Sequence, residues 1–228
     1  MPDFSPMPDH GRDSFYPSSL EHRPLMRVEK TELLNYLERE GGDQLGELPC
    51  TRYASEPALQ SLEAWIWGMR FWGREVLVRS TFPILQMLLP LWEPEVEAHG
   101  GDAVSQAVIF KTLTPVAQQV SAVQNWAERP GLSTARIAGQ RYRRFPEAWH
   151  GEEGRTLRKR VFFWIAQAGN AAVYSVIAHR DEAARWAGEC AIAGTYVLMS
   201  KGHKRETAVP IIRTTLREGL RDWLLRYY

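Results

Sequence analysis

The chain carries a dense run of basic side chains over residues 136–160, interrupted by aromatic rings. Only Glu147, Glu152 and Glu153 oppose its charge. Arginine forks match the geometry of phosphate oxygens, and aromatic rings can stack on unpaired bases, so this composition is what a nucleic-acid backbone site requires. The candidate contacts in this run are Arg141, Arg143, Arg144, Trp149, Arg155, Arg158, Lys159 and Arg160.

A second basic element lies near the end of the sequence. Arg213, Arg217 and Arg221 are spaced by four residues, so they form a row along one side of a predicted helix. Glu218 and Asp222 lie nearby and can neutralise part of that row. The three arginines are therefore further candidate contacts to nucleic acid or to another anionic partner.

The distribution of charge offers a competing interpretation of both basic elements. The net charge is only +1, but residues 1–135 hold 11 Lys and Arg against 18 Asp and Glu, a net charge of −7. Residues 136–228 hold 17 against 9, a net charge of +8. Either the basic half meets an anionic partner, or the two halves face each other and neutralise.

Residues that could carry catalysis or bind a metal are scattered. No two of the six histidines stand three or four positions apart and there is no HExxH, so the sequence predicts no metal site. The GxSxG, GxxxxGK[ST] and GxGxxG patterns are absent as well, which favours a protein without a cofactor and without enzymatic activity. An enzyme whose site is assembled from scattered residues is a third alternative.

Apolar residues recur every three to four positions along most of the chain, and no segment shows the alternation of a strand. This predicts an all-α fold, an irregular multi-helix bundle of about seven to nine helices. Five prolines predict an extended N-terminal arm over residues 1–25. A single helical domain is predicted over residues 26–228, which the charge divides into an acidic sub-part (26–135) and a basic sub-part (136–228).

One predicted helix, from Pro57 to about Arg79, has apolar residues on two sides. The second row consists of Trp67, Phe71 and Val78. A helix that is apolar on two sides either lies at the centre of a bundle or exposes one side to a partner. These three residues are therefore the candidate protein-partner surface.

The other predicted helices follow from start and stop signals. The first runs from about Val28 to Glu40, and Pro83, Pro90 and Pro94 are predicted to break the stretch that follows the second. Further helices are predicted over Asp102–Arg129 with a division at Thr114-Pro115, from Ser133 or Thr134 to about Phe145, over Thr156–Ser200 with a turn at residues 179–181, and from about Pro210 onward.

Residues 161–179 contain no formally charged side chain and just reach the length of a membrane span. Polar side chains interrupt the segment, so it is predicted to be a buried helix in a bundle. The two cysteines, Cys50 and Cys190, have no CxxC spacing and suit a reducing compartment. With no signal-peptide pattern at the N-terminus, the sequence predicts a cytoplasmic protein without a membrane span.

Together these observations favour a non-enzymatic protein-interaction module: a subunit, adaptor or inhibitor in a larger assembly of bacterial type. A nucleic-acid-binding subunit that grips the phosphate backbone through the basic cluster is the alternative. The oligomeric state is left open by the sequence.

Overall fold

A computed structural model describes residues 25–39, 57–99, 116–142 and 161–227, and all regular structure in these ranges is helical. This confirms the predicted all-α multi-helix bundle. The α-helices are α1 (Arg27–Leu37), α2 (Pro57–Gly68), α3 (Arg74–Leu88), α4 (Trp92–His99), α5 (Val116–Glu128), α6 (Leu132–Arg141), α7 (Val161–Ile177), α8 (Arg180–Ser200) and α9 (Arg205–Tyr227). Residues 1–24 lie outside the described ranges, and the predicted arm and domain division stay predictions.

Helix α7 lies at the centre of the described bundle. All 17 of its residues are buried, and it packs against α3, α4, α5, α6 and α8. Residues 161–177 therefore form a buried helix, as was predicted from the polar side chains that interrupt this uncharged segment. None of the helices in the described ranges is long and apolar enough to cross a membrane.

Helices α7 and α8 form a hairpin, and the chain reverses at residues 178–179. Of the turn predicted at residues 179–181, only the first residue lies outside a helix, because α8 already begins at Arg180. Helices α2 and α9 pack on α8, whereas α4, α5 and α6 pack on α7. Helix α3 contacts both members of the hairpin as well as α5 and α9. It therefore bridges the two sides of the bundle.

The predicted helix over residues 57–79 is broken in two, which corrects the sequence interpretation. Helix α2 ends at Gly68, and a 3-10 turn over Met69–Trp72 follows. Gly73 then adopts a φ of +94°, a conformation that residues with a side chain rarely adopt. The chain changes direction at this glycine, and α3 begins at Arg74.

Two of the prolines that were predicted to break the chain after the second helix lie inside helices. Pro83 lies within α3, where the fully buried Ile84 and Leu85 supply packing that offsets a cost of about 3 kcal/mol. Pro94 occupies the first turn of α4, where amide donors have no intrahelical acceptor anyway. Only Pro90 lies in a break, the 3-10 turn over Leu89–Leu91.

The boundaries of three other helices also differ from prediction. Helix α9 begins at Arg205, so Pro210 is inside it rather than at its start. Helix α6 begins at Leu132, before the predicted start at Ser133 or Thr134, and the Thr134 hydroxyl donates to the Gly131 carbonyl at 3.0 Å. Helix α1 ends at Leu37, three residues before the predicted Glu40, because Glu38 already forms a turn.

Polar side chains inside the bundle pair with one another. Gln119 of α5 donates through Nε2 to Asn170 Oδ1 of α7 at 2.8 Å and to the Arg141 carbonyl at 3.2 Å. Gln167 of α7 donates to a carboxylate oxygen of Glu189 in α8. Buried polar groups are costly unless they are hydrogen-bonded. These pairs explain why α7 tolerates polar residues at its centre.

Cys190 of α8 is buried and forms no disulfide. Burial, aided by the charge of Glu189, raises the pKa of its thiol far above the usual range. Because the thiolate is the reactive form, Cys190 is expected to be inert to a thiol reagent such as dithionitrobenzoate in the native protein and to react on unfolding. A Cys50→Ser variant isolates this thiol, and rapid labelling without denaturant would contradict the buried position.

Candidate protein-interaction surface

Trp67 and Phe71 lie at the bend between α2 and α3, here called the Trp67–Phe71 corner. Phe71 is 54% exposed and Trp67 is half-buried. The guanidinium of Arg70 lies 4.7 Å from the Trp67 ring centroid and 4.3 Å from that of Phe71. Arg70 Nη1 also donates to the Trp67 carbonyl at 3.1 Å. The guanidinium thus contacts both rings, and Phe71 is the most exposed member of this stack.

Val78 does not belong to this surface, because it is fully buried at 0% exposure. The 3-10 turn and Gly73 shift the helical phase between Phe71 and Val78. Val78 therefore falls on α3, where Val76 and Leu77 beside it are also fully buried. Its role is in the core, and the candidate surface is reduced to Trp67 and Phe71.

The corner is attached to the α7–α8 hairpin by two arginines. Arg70 Nε lies 3.9 Å from a carboxylate oxygen of Asp181, and Arg74 Nη2 donates to the Ala178 carbonyl at 2.5 Å. Burial lowers the pKa of Arg74 to about 10, so this side chain is still a cation at neutral pH. A cation next to the carbonyl end of α7 is favourable. The Arg74 contact therefore attaches the corner to the hairpin, whereas the Arg70–Asp181 pair, whose carboxylate is exposed, contributes little.

Apart from the corner, the surface has a groove between three helices, here called the α3–α5–α9 groove. Its volume is about 320 Å³. That volume is at the lower end of the range for ligand sites, about 300–1,000 Å³. Its walls come from three helices, and its lining residues are Arg79, Phe82, Pro83, Gln86, Gln124, Ala127, Glu128, Gly219, Asp222, Trp223, Arg226 and Tyr227.

Arg79 organises this groove. Its Nε donates to a Glu75 carboxylate oxygen at 3.0 Å, and its Nη2 donates to the Ala127 carbonyl at the end of α5. Its guanidinium lies 4.7 Å from the Trp223 ring centroid and 5.8 Å from that of Tyr227. A single side chain of α3 therefore connects α5 to α9.

The second basic row faces the acidic half of the chain. Arg217 and Arg221 of α9 lie 3.8 and 3.4 Å from the carboxylate oxygens of Glu38, just after α1. Arg213 lies over the Trp65 ring at 4.8 Å. In this row, Arg217 and Arg221 therefore pair with the acidic half of the chain. Exposed pairs of this kind contribute about 0–1 kcal/mol each.

The first basic cluster is described only at its beginning. Arg141 Nη1 donates to Gln118 Oε1 at 2.9 Å. Seven other candidate contacts lie outside the described residues, and their role stays a prediction: Arg143, Arg144, Trp149, Arg155, Arg158, Lys159 and Arg160.

Another ion pair joins the acidic and basic halves of the chain. It forms between Lys201, just after α8, and the buried Glu95 of α4.

Among the described residues, no three His, Cys, Asp or Glu side chains come together as a metal site would require. No protein-family model, curated protein or solved structure matches the chain.

Proposed function

We propose that this protein is a non-enzymatic protein-interaction module that binds its partner through the Trp67–Phe71 corner. The observation that supports this most directly is the half-exposed Phe71 ring in a stack with Arg70 and Trp67. Interface residues that dominate binding are enriched in Trp, Tyr and Arg and cluster together. Arg70 already contacts both rings, and such contacts reduce the side-chain entropy that is lost when a partner covers them.

The role that suits such a module is that of a subunit, adaptor or inhibitor in a larger assembly. A cytoplasmic location is part of the proposal, supported by the free thiol of Cys190. The nucleic-acid alternative rests on residues 141–160. The described contacts of Arg217 and Arg221 with Glu38 support neutralisation instead.

Replacing Phe71 by alanine is expected to release a protein partner that copurifies with the parent from the native host. Fully burying a phenylalanine side chain contributes about 1.5–3 kcal/mol, and a partner buries only the exposed half of Phe71. The expected loss is therefore about 1–1.5 kcal/mol, or about 5- to 12-fold in affinity. Leu225→Ala is the matched control, because Leu225 is 60% exposed and lies on α9, away from the corner. Affinity purification and melting curves on both variants provide the measurement.

Nuclease treatment separates the two functional hypotheses in the same experiment. A partner that survives nuclease, stays with Leu225→Ala and is lost from Phe71→Ala supports the corner. Equal retention by Phe71→Ala at an unchanged melting temperature contradicts the corner. Loss of all partners on nuclease treatment favours binding through the basic cluster.

A further inference from the structure

We propose that α1 is a displaceable cover over a surface beside the Trp67–Phe71 corner, and that a helix of the partner protein binds this surface in place of α1. That helix carries an aromatic side chain and an acidic one two positions later, as α1 does in Tyr36 and its C-cap Glu38. Because this partner is the one that binds the corner, the inference rests on the function proposed above.

Tyr36 of α1 lies in an aromatic slot at the end of α2. Its ring stacks on Trp65 with 6.5 Å between centroids and lies 5.0 Å from the centroid of Trp72. Its hydroxyl donates to the Trp65 carbonyl, in the last turn of α2, at 2.7 Å. A Cβ atom at Gly68 would lie 2.7 Å from Tyr36 Cζ, so the slot depends on a position without a side chain. The slot therefore favours an aromatic ring that carries a hydrogen-bond donor.

The basic row of α9 receives the acidic side chain that follows the ring. Carboxylate oxygens of Glu38 lie 3.8 Å from Arg217 Nη1 and 3.4 Å from Arg221 Nη1. All three side chains are partly exposed, so a competing carboxylate can reach the two guanidiniums. The surface under α1, here called the α1 seat, thus has a slot for a ring and a pair of cations for a carboxylate. It consists of Trp65, Gly68, Trp72, Arg217 and Arg221.

Helix α1 is attached to the bundle by few side chains. It has 11 residues, fewer than the about 12–15 at which an isolated helix is marginal in water, and its buried residues are Leu33, Tyr36 and Leu37. Within the described ranges it packs mainly on α9 and on the 3-10 turn, whereas α7 packs on five helices. A peripheral element with so few buried residues opens at a lower free energy than the core does. We therefore expect α1 to leave its seat while α7 and α8 stay folded.

Release of α1 enlarges the aromatic surface at the corner. Trp72 directly follows Phe71 in the 3-10 turn, and Trp65 loses the ring that stacks on it. A partner that fills the seat and covers Phe71 buries ring area that the docked α1 leaves 54% exposed. This additional contact gives the partner a differential affinity for the open form, which is what displacement requires.

The tether of α1 sets the standard that a competitor has to meet. Residues 40–56 join α1 to α2, so docking of α1 is intramolecular, with an effective concentration on the order of 1 mM. The α1 of a second copy makes the same contacts without the tether and is the weaker competitor. A helix with contacts to Phe71 as well as to the seat is therefore the favoured occupant.

The experiment titrates the full-length protein into a fluorescently labelled peptide with the sequence of residues 25–39. In the parent, the tethered α1 occupies the seat and is expected to exclude the peptide. In Tyr36→Ala the tethered helix lacks its ring, so the peptide is expected to bind at least about 10-fold more tightly than to the parent. Asn35→Ala, at an exposed position on the same turn, is the matched control and is expected to behave as the parent.

Two variant peptides test the chemistry of the partner helix. A peptide with Tyr36→Ala is expected not to bind the Tyr36→Ala protein. A peptide with Glu38→Lys is expected to bind it up to about 10-fold more weakly, and with a smaller dependence on salt. Absence of binding to a Tyr36→Ala protein that still melts cooperatively would overturn the proposal, as would equal binding to Asn35→Ala.

Hydrogen exchange of the parent tests the cover without any variant, and decides the matter if Tyr36→Ala does not fold. Amides of α1 are expected to exchange at least about 100-fold faster than those of α7, through an opening that leaves α7 protected. Equal protection of the two helices would mean that α1 is released only on global unfolding, and the cover would be refuted.

Copurification from the native host connects the α1 seat to the corner. Tyr36→Ala is expected to retain more of the partner than the parent does, whereas Phe71→Ala retains less. Loss of the partner from Tyr36→Ala would overturn displacement and leave the corner hypothesis intact, whereas retention by Phe71→Ala contradicts the corner itself. A parent that is dimeric by light scattering, with a monomeric Tyr36→Ala, would assign the seat to α1 of a second copy and overturn the partner helix.

Discussion

Replacing Trp65 by alanine is expected to lower the free energy of unfolding by about 3–5 kcal/mol. Trp65 of α2 is fully buried, and its ring stacks on Tyr36 of α1 with 6.5 Å between centroids. The guanidinium of Arg213 in α9 lies over the same ring at 4.8 Å. The Tyr36 hydroxyl donates to the Trp65 carbonyl at 2.7 Å. Truncation therefore removes the contact that three helices share and leaves a large cavity.

Urea denaturation of the parent and of Trp65→Ala measures this effect. Trp67→Ala is the matched control, because Trp67 lies on the same helix but is only half-buried, so its loss is expected to be clearly smaller. Hydrogen exchange is expected to increase first in α1, whose docking depends on Tyr36. Equal losses in the two variants would contradict the central position of Trp65.

The apolar pattern of the sequence predicted the most deeply buried helix of the bundle, because a helix that packs on several sides must be apolar on several sides. Helix α7 illustrates this: its lack of charge and its interrupting polar side chains predicted a buried helix, and all 17 of its residues are buried. The polar pairs Gln119–Asn170 and Gln167–Glu189 could not be predicted, because each joins residues from different helices. Sequence patterns describe one helix at a time.

The break at Gly73 was not predictable from periodicity for a different reason. A glycine inside a helix costs only about 1 kcal/mol, so it does not end a helix by itself. The apolar pattern continues across residues 69–78 in sequence, but a 3-10 turn has three residues per turn and changes the phase. Because of this phase change, Trp67 and Phe71 lie at the surface whereas Val78 lies in the core.

The two candidate sites differ in how far the sequence could reveal them. Two apolar rows on one helix were enough to mark Trp67 and Phe71, because an excess of apolar surface is a local property. The groove depends on α3, α5 and α9 meeting, and its walls come from residues more than 90 positions apart, such as Gln124 and Gly219. Likewise, the charge totals left open whether the basic half meets a partner or the acidic half, and only the fold shows that Glu38 faces Arg217 and Arg221.

Replacing Gly219 by valine is expected to lower the free energy of unfolding by about 3 kcal/mol, the upper end of the cost of overpacking. A Cβ atom at this position would lie 2.1 Å from Pro83 Cγ and 2.8 Å from Pro83 Cβ. The proline ring is closed and cannot rotate away, so α9 has to move from α3. Valine has a lower helix propensity than alanine, so it gains less from replacing glycine. The clash with Pro83 is therefore expected to outweigh this gain and to make the substitution destabilising.

The substitution Glu218→Val separates the clash from the helix propensity of valine. Glu218 is exposed on the same turn of α9, so its replacement carries only the propensity difference, below about 0.7 kcal/mol. Urea denaturation of both variants is the measurement. Gly219→Ala is expected to be destabilised as well, despite the gain of up to about 1 kcal/mol that alanine brings to a helix. A stabilised Gly219→Ala would show that α3 and α9 separate without cost, and that the groove between them is not a fixed shape.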